Sequence, residues 1–102
     1  MILQSSITSQ VTDHLKVLLL EDYALDAELL IQEIHSQHPG WTVKHVIDRD
    51  GFEHELKCDQ PDLVISDYSL PQYNALEALI TVKALGLEIP FIIVTGDLPE
   101  DA

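Results

Sequence analysis

The sequence predicts an α/β domain in the order β-α-β-α-β-α-β, a doubly wound parallel sheet with helices on both faces. Three observations carry this expectation. "KVLLL" (16–20), "LVIS" (63–66) and "FIIV" (91–94) are continuous apolar runs, too short for helices and suited to strands covered on both sides. Between them the apolar spacing changes to the helical period. The connections are short, and parallel strands joined through helices cross over right-handed, which distributes the helices to both faces.

Residues 1–14, "MILQSSITSQVTDH", are polar and Ser/Thr-rich without a sustained period, and read as a leader outside the core. The domain proper spans 15–102. After the first strand, Ala27, Leu30, Ile31 and Ile34 form one helical stripe that "HPG" (38–40) stops. "WTVKHV" (41–46) is a more amphipathic strand, placed nearer the sheet edge. "DGFEHELK" opens at Asp50 with an Asp-x-x-Glu spacing that caps a short helix, with Phe52 and Leu56 inward. The third strand runs into Asp67, and Pro71 breaks the chain again. A third helix is predicted from about Asn74 to Leu85, burying Leu76, Leu79 and Ile80, with Gly86 where a helix C-terminus favours glycine.

Following "FIIV", the segment "GDLPEDA" supplies Asp97 as a cap, with Pro99 and Glu100 in a first helical turn. One turn does not sustain a helix, so the sequence reads as a domain truncated at the start of its fourth helix or completed by a partner. The apolar edge strand then favours pairing of two copies, a homodimer through the sheet edge.

Composition bounds the function. The 102 residues allow one domain, and 46% hydrophobic residues with four glycines and five prolines indicate a packed core. Five basic against eighteen acidic residues give a net charge of −13, which repels phosphate backbones and anionic membrane surfaces and argues against direct nucleic-acid binding. Cys58 is the single cysteine, so an intrachain disulfide and a cysteine zinc cluster are excluded, and a reducing, cytoplasmic setting is expected. The first lysine is Lys16 and "VLLL" is far too short to span a bilayer, so neither a signal peptide nor membrane insertion is expected.

Functional groups in such sheets gather beyond the carboxyl ends of the strands. Glu21 and Asp22 follow the first strand, Asp67 the third and Thr95 the fourth. Singly, each acid is an ordinary loop residue or helix cap and Thr95 a turn hydroxyl. Together, carboxylates crowded at one end of a low-dielectric sheet call for a cation. A hard divalent ion with oxygen ligands, Mg²⁺ above all, meets that need, and Asp67 gains a second role as a nucleophile toward phosphorus.

"KVLLLEDYALDAELL", "PDLVISDYSLPQYNALEAL" and "IPFIIVTGD" resemble the receiver domain of two-component response regulators, in register from Lys16 to Ala102. The resemblance implies a flavodoxin-like sheet of order 2-1-3-4, with a fifth strand and last helix that have no counterpart in this sequence. It further implies phosphoryl transfer from the phosphohistidine of a sensor histidine kinase or phosphotransfer domain to Asp67. Glu21, Asp22 and Asp67 then hold Mg²⁺ with the backbone carbonyl of Ser69, and Thr95 is the switch hydroxyl. A family lysine at the end of the fifth strand also lacks a counterpart; Lys83 falls in the third helix. By the same resemblance the domain is a signalling switch that assists its own phosphorylation rather than an enzyme.

Other readings are weaker. A haloacid-dehalogenase-type phosphatase needs an acid two residues after the aspartate, where Ser69 stands, and a dinucleotide site needs glycines that "EDYALD" lacks. His14, His35, His38, His45 and His54 share no metal-ligand spacing; His35 and His38 are expected against the helix carbonyls. The serious alternative is a non-catalytic receiver-like interaction or dimerisation module.

Overall fold

The computed structural model describes residues 14–68 and 73–94. The polar leader up to residue 13 and the helix start expected at 97–100 lie outside them. Among the described residues seven elements alternate: β1 (Lys16–Leu20), α1 (Ala24–Gln37), β2 (Thr42–Val46), α2 (Arg49–Cys58), β3 (Leu63–Asp67), α3 (Ala75–Ala84) and β4 (Phe91–Val94). The strands form one parallel sheet in the order β2-β1-β3-β4, as expected.

Sheet order follows from burial. β1 and β3 are apolar on both faces and occupy the centre, flanked by neighbours on both sides. β2 alternates between exposed and half-buried residues and forms an edge. The register pairs Leu19 with His45 and with Ile65, and Leu20 with Val46 and with Ser66. Parallel partners point to the same face, so successive residues of β1 feed two cores. Val17 and Leu19 join Ala27, Leu30 and Ile34 of α1, with Trp41, Leu63 and Ile65. Leu18 and Leu20 join Phe52 and Leu56 of α2 and Ala78 and Val82 of α3 on the other face, with Val46, Val64 and Tyr73.

The α1 stripe lies where its spacing placed it, with Ile31 only partly buried. α3 is rotated from expectation. It buries Ala75, Ala78 and Val82, while Leu76 is 50% and Ile80 66% exposed. Small alanines let the helix lie close to the sheet, and a leucine at either position would hold it off. α2 starts two residues earlier than expected. Its N-cap is Asp48, whose carboxylate accepts from the Gly51 N–H at 2.9 Å, so Asp50 sits in the first turn instead. At α3 the Asn74 side chain accepts from the Glu77 N–H, and the Glu77 carboxylate accepts from the Asn74 N–H, a reciprocal capping box. Gly86 ends that helix with φ of 74°, a conformation that favours glycine.

Candidate acidic site at the strand ends

All four strands are parallel, so their carboxyl ends lie along one edge of the sheet. Asp67 is the last residue of β3. Glu21 follows β1 directly, and its N–H donates to the Val46 carbonyl at 3.1 Å, one step beyond the β1–β2 ladder. Leu20 pairs with Ser66, so continuing the register brings Glu21 beside Asp67. Asp22 stands on the loop before α1.

The three carboxylates converge. Glu21, Asp22 and Asp67 each offer one oxygen, and these oxygens lie within 4.8 Å of one another. Glu21 is buried, Asp67 half-buried and Asp22 exposed, so the cluster opens toward solvent on one side. Ser69 and Thr95 lie outside the described residues. Among the described residues no group containing a histidine or Cys58 has comparable metal-binding spacing. Cys58 is an exposed thiol 3.7 Å from His54 Nδ1, and the His38 ring stacks on Trp41 at 3.8 Å between centroids. The His38 backbone N–H, not its ring, donates to the helix carbonyl of Ile34.

Charge at the cluster is expensive without compensation. Two full charges 4.8 Å apart repel by about 3 kcal/mol at an effective dielectric of about 20. The effect is seen at Glu21. Burial, with smaller contributions from the charges of Asp67, Asp26 and Asp22, pushes its carboxyl up to about 7, against the lowering effect of the Tyr23 N–H that donates to Oε2 at 3.1 Å.

The donor set fits a hard cation. Ligand oxygens on an octahedral Mg²⁺ at about 2.1 Å are separated by about 3 Å when adjacent and about 4 Å when opposite. The three carboxylate oxygens lie within 4.8 Å of one another, slightly wider than that span, and none of the donors is nitrogen or sulfur.

Sequence reasoning missed one polar contact here. His45 on β2 has Nε2 2.7 Å from the carbonyl oxygen of Glu21. The register of β2 against β1 puts His45 on the same face as Leu19, one row below Glu21, a placement that the sequence alone does not show.

No protein-family profile matches the chain. It is 27% identical over 81 residues to a protein-glutamate methylesterase/protein-glutamine glutaminase of Clostridium acetobutylicum, a match covering 79% of this chain and 24% of that protein. The chain thus spans about a quarter of the length of this curated relative. Among solved structures it is similar to the receiver domain of a sensor histidine kinase from Pseudomonas aeruginosa PAO1 with a magnesium ion coordinated in the active site cleft. There the TM-score is 0.70 at 22% identity, covering 86% of this chain and 73% of the other. The phosphorylated cyanobacterial phytochrome response regulator RcpA superposes with a TM-score of 0.68 at 25% identity, covering 86% and 69%. No helix among the described residues is long and apolar enough to cross a membrane. The parallel sheet of order 2-1-3-4, with α1 on one face and α2 and α3 on the other, is the fold of response-regulator receiver domains.

Proposed function

We propose that this domain is a phosphoacceptor switch of a two-component phosphorelay, taking a phosphoryl group on Asp67. The observation that carries this reading is the convergence of the Glu21, Asp22 and Asp67 carboxylates at the carboxyl edge of the sheet. In the proposed transfer an Asp67 carboxylate oxygen attacks the phosphorus of a phosphohistidine on a histidine kinase or phosphotransfer domain. The O–P bond forms, the P–N bond breaks, and the imidazole leaves with the electron pair.

Glu21, Asp22 and Asp67, with the Ser69 carbonyl, are the residues proposed to hold Mg²⁺. Bound there, the ion supplies positive charge that offsets the carboxylates and the phosphoryl oxygens in line with attack. The chain's own contribution is geometric: Glu21 directly after β1 and Asp67 at the end of β3 stand at the ends of adjacent strands, so the nucleophile and the ion's ligands are positioned before a phosphodonor arrives. Thr95 is proposed as the hydroxyl that reports phosphorylation. The domain acts as a switch, not as an enzyme with turnover of its own.

Trapping the acyl phosphate by borohydride reduction and mapping the peptides tests the assignment. Modification confined to Asp67, and lost in Asp67→Asn, is expected. Modification of another acid or of a histidine, with Asp67 unlabelled, overturns it.

A further inference from the structure

The structure assigns to His45 a positioning role at the acidic site: its ring clamps the Glu21 carbonyl and thereby sets the direction of the two acids that follow β1. This inference rests on the proposed Mg²⁺ site. The Glu21 backbone is held on both sides of its Cα. Its N–H donates to the Val46 carbonyl at 3.1 Å, and its carbonyl receives a hydrogen bond from His45 Nε2 at 2.7 Å. A carbonyl oxygen only accepts, so Nε2 carries the hydrogen, in the neutral ring and in the cation alike. The clamp is therefore independent of the charge on His45.

Its consequence is local. The two hydrogen bonds fix the peptide planes on either side of the Glu21 Cα, which sets the Glu21 Cα–Cβ direction, and the clamped plane leads directly into Asp22. The Glu21 carboxylate is tied a second time, by the Tyr23 N–H at 3.1 Å. β2 is an edge strand, and a regular ladder would offer the Glu21 carbonyl a backbone N–H farther along it. Here the chain has already left the strand at Val46 and turned toward the Asp48 cap of α2. The imidazole stands in for the missing ladder donor. Groups that orient metal-ligating carboxylates typically affect metal affinity by about 10- to 100-fold; His45 acts through the backbone, which places its effect at the low end.

The test compares wild type, His45→Leu and His45→Gln by calorimetric titration with MgCl₂. Gln carries an amide N–H at nearly the reach of Nε2, whereas Leu fills the space without a donor. Mg²⁺ affinity about tenfold weaker in His45→Leu and within about twofold of wild type in His45→Gln is expected. Equal affinity in all three proteins overturns the inference, as does equal weakening in both variants, because packing and not the hydrogen bond would then be responsible. If wild type binds no Mg²⁺, the proposed function fails and the clamp is still read without metal, from amide hydrogen exchange at Tyr23. Faster exchange in His45→Leu than in wild type and His45→Gln supports the clamp, and equal rates in all three overturn it.

Discussion

Replacing Glu21 by glutamine removes a charge while keeping the side chain's shape and an oxygen for the Tyr23 N–H. The Glu21 carboxyl rises from 4.5 to about 7 on folding, chiefly through burial. An acid whose folded value exceeds its unfolded one is held preferentially protonated by the native state. Its stabilising contribution is therefore complete below pH 4.5, falls as pH climbs, and is lost above about 7. At about 1.4 kcal/mol per pH unit, the displacement sets a ceiling of about 3 kcal/mol. Water on the exposed Asp22 side screens these charges, so about 1–3 kcal/mol is expected. Denaturant unfolding of wild type and Glu21→Gln in metal-free buffer between pH 4.5 and 8 reads the effect. The variant should be more stable by that amount at pH 8, with the gap closing toward pH 4.5. A gap that does not change with pH refutes the reasoning.

Other expectations follow from the packing and the site. Phe52→Ala empties the centre of the core shared by α2 and α3 and should cost about 3–5 kcal/mol in denaturant unfolding. Asn74→Ala removes the capping box of α3 and should cost about 1 kcal/mol by the same measurement. Ile80→Asn, on the exposed side of α3, should change stability by no more than about 0.5 kcal/mol, whereas Val82→Ala on the buried side should cost about 1–3 kcal/mol. MgCl₂ at about 100 times its dissociation constant should stabilise the fold by about 2.7 kcal/mol, seen as a rise in Tm that EDTA reverses.

Much of the fold was legible because the central strands are apolar at every position and their helices carry distinct signals. The α1 stripe could be placed because polar residues make up half of the helix, seven of fourteen, and leave one predominantly apolar face. α3 offered no such choice. In "ALEALITVKA" apolar residues occur all round the helix, and the sequence does not say that Ala75 and Ala78, rather than Leu76 and Ile80, face the sheet. The capping box fixes where that helix begins, not its rotation. Likewise "DRDG" contains two aspartates that can cap α2, and the geometry of the turn out of β2 selects Asp48. At the site, the acids were legible because strand ends collect functional groups. His45 was not, because its role depends on reaching across from β2 to the carbonyl of a residue 24 positions away in sequence.

The most direct test of the central claim is an intact mass spectrum of the protein before and after incubation with MgCl₂ and a small acyl-phosphate donor. Gain of a single phosphoryl group by wild type, abolished by EDTA and absent in a folded Asp67→Asn variant, is the predicted result. No gain by a folded, Mg²⁺-binding wild type, or an undiminished gain by Asp67→Asn, would contradict the account.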